Sequence, residues 1–331
     1  SRVRHEFTMP GVIAYADRTD SSTLPCLLSN IGTMSGTSKI GQPPAWLARD
    51  FEDVDELSAI AGFDTHFVPL TDGAHHIRAR LRSGRQVSLV WMRFSCGFHQ
   101  RGMPPADTVT FGVPVTGLLD WCARAYTPGD WPSFNSEAGV DGVSRPGFAA
   151  FTVSLQRAFL ESTASEVGLP SPAELVLPRP GGVIRASDRT RVLEARIQRL
   201  LSDASSPIDS DCETAIAIDI LEAGVGREDE IVALPAARSR AITKALAYLE
   251  AHADENVNVG QLCAETGIAW RTLDRAFRER FGMGPKAYAK RERLLRVRST
   301  LLRSAPSSAI VDAANAAGFW HMGQFARDYR R

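Results

Sequence analysis

The feature that most constrains this chain is an internal repeat near its C-terminus. "VGQLCAETGIAWRTLDRAF" (259–277) reads as a helix, a tight turn at Gly267 and a second helix, and "IVDAANAAGFWHMGQFARDYR" (310–330) repeats it. Ala313 to Gly318 has the spacing of Leu262 to Gly267, and Phe325, Arg327 and Tyr329 then answer Leu273, Arg275 and Phe277, with one residue added in the turn. The pattern predicts that Leu262 and Cys263 are buried in the first motif's opening helix and Leu273 and Phe277 in its second. In the last helix Phe325 and Tyr329 share one face, and His321, Gln324 and Arg327 the other. Between the motifs, "GPKAYAKRERLLRVRSTLLRS" reads as one long helix with Pro285 at its first turn. Its Tyr288, Leu294, Leu295, Val297, Leu301 and Leu302 can serve two flanking three-helix lobes.

Charge separates this segment from the rest. The chain is neutral overall, yet from Arg238 onward it carries 17 Lys+Arg against 9 Asp+Glu, and before it 21 against 29. A basic C-terminal third points to an anionic polymer as its partner. With 331 residues, two domains are expected. No run of about eighteen apolar residues suggests a membrane span, and no signal sequence opens the chain, so a cytoplasmic protein is expected. The five cysteines are scattered without a C-x-x-C, and neither His75-His76 nor His99 has a partner at metal-ligand spacing. No disulfide framework, metal site or cofactor is therefore expected.

Upstream the pattern is different. "NIGTMSGTSKIGQPP" suggests loops with a strand or two, and "FEDVDELSAIAG" a short helix opening on acids. From about 62 to 155 the period becomes two: "HIRARLRSGRQVSLVWMRFS" reads as a hairpin turning at Ser83-Gly84, followed by short strands between Gly/Pro turns. Many short strands predict a small barrel or jelly roll, without βαβ alternation. Helices take over from about 153. In "SDRTRVLEARIQRLLSDA", Leu193, Ile197, Leu200 and Leu201 form a stripe behind a Ser187/Asp188 cap; it fits either a dimer seam or packing on the barrel. "GVGREDEIVALPAARSR" reads as the linker, with the boundary at 232–237.

The repeat has the pattern of a tandem helix-turn-helix. Together with "LCAETGIAWRTLDRAF", "FGMGPKAY", "RERLLRVRSTLL", "AANAAGF" and "FARDYR", the stretch from Arg240 to Arg331 resembles the DNA-binding domain of the AraC/XylS family. That resemblance implies an α+β chain. A cupin-like effector-binding and dimerisation domain would occupy 1–232, with its barrel over about 50–155 and helices over about 153–226. An all-α DNA-binding domain would occupy 237–331, with motifs at 259–281 and 310–331. It also implies double-stranded DNA and RNA polymerase as partners, a homodimer, no enzymatic activity, and a further turn and closing helix beyond Arg331.

Helical geometry then proposes the readers. In the first motif Arg271, Asp274, Arg275 and Arg278 fall outside. Arg271 and Arg275 suit guanine N7/O6, while Asp274 suits a cytosine amine or the orientation of a neighbouring arginine. In the second, His321, Gln324 and Arg327 fall outside. Trp270 lies on the Leu273 side, which favours core over base contact. Lys286, Lys290, Arg293 and Arg298 fit either phosphate contacts or a solvated face of the long helix.

For the effector, Arg78, Arg80 and Arg82 alternate on one strand face, an arrangement that calls for an anion or carboxylates. Arg78-x-x-x-Arg82 resembles the R-x-x-x-R of PilZ domains, which implies cyclic di-GMP. "GVSRPG" supplies Ser144, but Gly142 stands where that family has an acid or amide. The alternative is a small organic metabolite inside the barrel near Trp91 and Phe111. A DNA-organising protein without an effector, and an enzyme with an appended DNA-binding domain, are the competing classes; an accessible low-pKa cysteine would favour the latter.

Overall fold

The computed structural model describes residues 46–330 except 53, 118, 122–123, 127, 136–138, 176–182, 204, 206, 226–235 and 304–309. The chain divides into a unit Ser1–Lys39, outside the described residues, and a unit Ile40–Arg331 to which everything below belongs. The expected N-terminal loops and residues 226–235 of the expected linker (224–240) also fall outside the described residues, while the linker's last five residues, 236–240, belong to a helix instead.

Two antiparallel sheets face each other. Sheet A has seven strands in the order β1 (Trp46–Phe51), β3 (Ile77–Ser83), β4 (Val87–Phe94), β11 (Ala149–Gln156), β6 (Thr108–Thr116), β9 (Trp131–Asn135) and β12 (Val183–Ile184). Sheet B has five: β2 (Asp64–Pro69), β5 (Phe98–Met103), β10 (Val140–Ser144), β7 (Leu119–Trp121) and β8 (Arg124–Tyr126). The predicted hairpin is β3–β4, with Ser83 paired to Ser88. The predicted short helix is α1 (Val54–Ile60).

Strand alternation decides what lies between the sheets. In β4, Val90, Met92 and Phe94 point inward, and they meet Phe67, Phe98, Leu119, Phe134, Val140 and Phe148 in one apolar core. Phe67, Phe94 and Phe98 pack edge to face with centroids 5.3–6.1 Å apart. Each such ring contributes about 1.5–3 kcal/mol by burial.

The opposite face of sheet A is also apolar. Val87, Leu89, Phe111, Val113, Phe151, Val153 and Leu155 are covered there by α2 (Arg157–Glu166), α4 (Asp188–Ser202) and α5 (Ser210–Gly224); α3 (Pro172–Leu175) is a single turn. Ser187 caps α4 through a reciprocal pair with Thr190, and the stripe Leu193, Ile197, Leu201 is buried against the sheet. Of the two readings offered for that stripe, packing on the β-domain is the one this chain realises. Glu213, buried in α5, accepts from the backbone N–H groups of Gln86 (2.6 Å) and Val87 (3.1 Å), which ties the helix to the β3–β4 turn. Trp91 and Phe111 belong to this helix-covered side, not to the interior between the sheets as expected. Both faces of sheet A are buried, so hydrophobicity alone could not tell one from the other.

The C-terminal part is all helical: α6 (Ala236–Ala251), α7 (Val259–Thr266), α8 (Trp270–Phe281), α9 (Pro285–Arg303), α10 (Ile310–Ala316) and α11 (Met322–Arg330). The α+β architecture expected from the sequence is the one observed. The first lobe's core gathers Leu246, Leu249, Leu262, Leu273, Phe277, Phe281 and Tyr288, and Val68 and Val143 of sheet B belong to the same cluster. Val297, Ala314, Ala317 and Phe325 form the second lobe's smaller core. Three expected core positions differ: Cys263 is only half-buried, Leu302 is 54% exposed and Tyr329 39% exposed. Tyr329 still stacks beside Phe325, with centroids 5.4 Å apart.

Candidate nucleic-acid interface

Both motifs turn on a left-handed glycine. Gly267 (φ 70°) caps α7, and Gly318 (φ 77°) stands at the equivalent place after α10. Only a residue without Cβ adopts this conformation freely. Three residues separate Gly318 from Met322 where two separate Gly267 from Trp270, which is the added turn residue read from the sequence. Asn258 caps α7 by accepting from Gln261 N–H at 3.1 Å. His321 stands just before α11, its carbonyl accepting from the N–H groups of Gln324 (3.0 Å) and Phe325 (2.9 Å).

The outer face of α8 carries the residues expected there. Arg271, Arg275 and Arg278 are exposed and Asp274 is half-buried. Arg278 Nε donates to Asp274 Oδ2 (2.8 Å), and Arg275 Nε to Glu279 Oε1 (2.7 Å). Exposed i,i+4 pairs of this kind are worth a few tenths of a kcal/mol, so they orient the guanidiniums without locking them. In the second motif, His321, Gln324 and Arg327 are exposed. Arg327 Nη2 donates to Gln324 Oε1 (2.8 Å), Gln324 Nε2 to Asp328 Oδ2 (3.1 Å), and Lys290 Nζ of α9 to Asp328 Oδ1 (3.0 Å). Burial acts to raise the Asp328 pKa, but the hydrogen bonds from Lys290 and Gln324 and the nearby positive charge hold it below the usual range. α11 is thereby tied to α9.

The other cations separate. Lys286 is exposed, 5.9 Å above the Trp270 ring, and Trp270 packs against the first lobe's core. Arg293 is buried: its Nη1 donates to Asn256 Oδ1 (3.3 Å) and to the Gly318 carbonyl (3.4 Å), and its guanidinium lies over the Phe319 ring. It clamps the second turn and is withdrawn from the set of phosphate contacts. Arg298 faces the β-domain across a groove that it lines together with His75 and Asp72.

The arginines of β3 also part company. Arg78 Nε donates to Asp50 Oδ1 on the neighbouring strand (2.8 Å), and that hydrogen bond holds the Asp50 carboxyl below its usual range. Arg80 lies over the Trp91 ring at 5.4 Å. Arg82 is 3% exposed, and its Nη1 donates to the carbonyls of Leu200 (2.8 Å) and Asp203 at the end of α4. It serves there as a structural clamp, matching the carbonyl-rich end of a helix with a cation. The expectation of three exposed arginines on one face is corrected, because α4 covers the third. Ser144 is likewise buried; its hydroxyl accepts from Phe98 N–H (3.0 Å) and donates its proton to Phe98 O (3.3 Å), so it holds two strands together out of reach of solvent. Between the sheets, Thr65 Oγ1, Gln100 Nε2 and Thr152 Oγ1 are buried without a partner among the described residues, around a space of about 60 Å³. That admits a few waters, not a metabolite.

Sequence reasoning missed a polar network that docks sheet B on α8 and α9. His99, fully buried, places Nε2 2.9 Å from Asp141 Oδ1 and Nδ1 2.7 Å from Tyr288 Oη. Arg280 Nη2 donates to the same Asp141 oxygen (2.7 Å), and Arg101 pairs with Glu292, which Tyr288 Oη also reaches at 3.3 Å. Burial drives the His99 pKa down to about 4 against the opposing pull of Asp141. The imidazole is therefore neutral, donating through Nε2 to the carboxylate and accepting from the tyrosine. Burial and Glu292 push the Tyr288 phenol well above its ordinary value.

Residues 262–331 match the helix-turn-helix domain family. The chain is 35% identical over 88 residues to the probable thc operon regulatory protein of Rhodococcus erythropolis, covering 26% of each chain. It is 34% identical over 86 residues to the transcriptional activator RhaS of Pectobacterium carotovorum, covering 26% of this chain and 30% of that one. It thus spans only about a quarter to a third of the length of these relatives. Among solved structures, the AraC-like transcriptional activator CuxR aligns with 82% of this chain and 100% of its own at 12% identity, with a TM-score of 0.40. The C-terminal helices thus match a helix-turn-helix domain, and the sequence likeness to these regulators extends over 86–88 residues.

Proposed function

We propose that the protein is a sequence-specific transcriptional regulator of the AraC/XylS type, whose C-terminal domain reads double-stranded DNA and whose β-domain senses an effector. The observation that carries this reading is the pair of helix-turn-helix motifs on one shared helix, each turned by a left-handed glycine and each leaving a polar face exposed. Arg271 and Arg275 have the fork geometry for guanine, Gln324 for adenine, and Arg327 for a second guanine. Asp274 orients Arg278, His321 sits at the entry of the second reading helix, and Lys290 sets the angle between the lobes. In the cell such a protein works in the cytoplasm as a homodimer, alongside RNA polymerase. Enrichment of duplexes from a random pool tests it: a shared motif that Arg275→Ala and Arg327→Ala relax at different positions supports the reading. Recovery of no common motif sinks it and leaves the DNA-organising role.

For the effector, a cyclic dinucleotide such as cyclic di-GMP would meet Arg78 and Arg80 on the outer face of sheet A, beside the Trp91 ring. Titration calorimetry with cyclic di-GMP on the wild type and on the Arg78→Ala/Arg80→Ala double variant decides this; no heat at high micromolar concentration removes that ligand. A metabolite between the sheets would have to part the phenylalanine core to enter. Burial raises the thiol pKa of both Cys96 and Cys212, the opposite of an activated nucleophile.

A further inference from the structure

The most exposed large apolar side chain among the described residues is Trp320, at 72%. Trp46, Trp91, Trp131 and Trp270 are all buried or half-buried. An indole left in water forfeits a large burial energy unless a partner covers it. Its place in the fold says which partner. Trp320 lies in the turn after Gly318, immediately before His321, whose carbonyl accepts the first hydrogen bonds of α11.

The longer second turn explains why this ring stays off the core. In the first motif Ile268 precedes Ala269, the N-cap of α8, and packs against the core of its lobe. An apolar residue at that place staples the entry of the helix. Trp320 is the corresponding residue of the second motif, one place before the residue whose carbonyl opens α11. The added turn residue passes the staple back to Phe319, whose ring lies 5.3 Å from that of Phe325, with the Arg293 guanidinium over it. Phe319 and Met322 pack against the second lobe's core, and Trp320 does not. The backbone is fixed on both sides: Phe319 N–H donates to the Ala314 carbonyl (2.9 Å), and the His321 carbonyl is held by Gln324 and Phe325. The indole is thus carried at a set place without a packing duty of its own.

We propose that Trp320 is a specificity-determining residue for DNA, its indole covering the C5-methyl group of a thymine in the part of the operator read by α11. A reading helix turns its N-terminal residues to the base edges of the major groove. The residue before that N-terminus arrives there beside His321 and Gln324, both exposed. Among the groups that base pairs present in this groove, the thymine methyl is the apolar one. A neutral indole draws little from the phosphate charge and is matched by that methyl. Trp320 therefore adds an apolar element to a face otherwise made of His321, Gln324 and Arg327. This role rests on the regulatory reading proposed above and names a base that the second motif selects.

Replacing single thymidines by deoxyuridine, in the duplex enriched by the wild-type chain, deletes the methyl and leaves every hydrogen-bonding group in place. At one thymine, within the base positions that Arg327→Ala relaxes, this change should weaken wild-type binding about three- to fivefold, the worth of one buried methyl. Trp320→Ala should bind the parent duplex at least about fivefold more weakly, keep the wild-type salt slope, and no longer distinguish the two bases there. Trp320→Phe should restore part of both losses. Each variant is compared with itself on two duplexes, so its own stability cancels. Insensitivity of the wild type to every such replacement overturns the proposal. So does an undiminished response in Trp320→Ala, which would assign the methyl to another side chain. Equal binding of the parent duplex by Trp320→Ala, at a motif that Arg327→Ala still relaxes, sinks the role of Trp320 and keeps the regulatory reading. Enrichment of no common motif removes both.

Discussion

Gly267 and Gly318 do the same conformational work, and their surroundings differ in a way that sets a quantitative test. Both lie near φ 70–77°, where adding a Cβ costs about 1–2 kcal/mol from backbone sterics. At Gly267 a Cβ would meet nothing within 4 Å. At Gly318 it would collide with the carbonyl of Asp254, in the α6–α7 connection, and approach Arg293 Nη1 at 3.3 Å. That carbonyl is backbone, so relief requires the second lobe to shift away from the first. Overpacking of this kind costs about 1–3 kcal/mol, which sums to about 2–5 kcal/mol for Gly318→Ala against about 1–2 kcal/mol for Gly267→Ala. Hydrogen exchange of the α7–α8 and α10–α11 amides reads the two lobes separately. Gly318→Ala should accelerate exchange across α10–α11 beyond the effect of Gly267→Ala on its own lobe, and should weaken binding to a bipartite site. Equal costs for the two variants would refute the close seam between the lobes.

Further outcomes follow from the same geometry. Arg275→Ala and Arg327→Ala should each lose about 1–3 kcal/mol at one base position and relax specificity there, as read by binding to systematically varied duplexes. Lys290→Ala should weaken all sequences alike and flatten the salt dependence; loss of its bridge to Asp328 should also speed exchange in α11, which Lys290→Arg should spare. His99 folds neutral with a pKa of about 4, below its unfolded value near 6.5. The unfolded chain therefore binds the extra proton between those values, and docking should lose roughly 3 kcal/mol as pH falls from about 6.5 to 4. Thermal unfolding across that window checks the sign, and His99→Gln should flatten it.

The parts legible in the sequence are those with a local signature. Gly267 and Gly318 mark both turns because the left-handed conformation they adopt disfavours residues with a Cβ, and Leu273, Phe277 and Phe325 follow at fixed helical offsets. The β3–β4 hairpin shows in its period of two. What escaped depends on distant partners. Arg82 shares a strand face with Arg78 and Arg80, as alternation says, but nothing near it in the chain reveals that α4 ends on top of it. Trp91 and Phe111 could not be placed, because apolar residues of both parities occur in a strand buried on two sides. Arg293 looks like Lys290 on a helical wheel, and only the Gly318 carbonyl and the Phe319 ring make it structural. His99 and Tyr288 meet across 189 residues, so neither forecasts that sheet B packs on the first reading lobe.

The central claim is that two reading helices on one rigid domain engage one face of a duplex. Chemical footprinting of an enriched duplex with guanine- and adenine-specific probes tests it most directly. Two clusters of major-groove protection centred about 10 base pairs apart, or about 34 Å, are expected per domain. Arg275→Ala should erase protection within one cluster and Arg327→Ala within the other. A single protected cluster, unaffected by Arg327→Ala, would contradict the account.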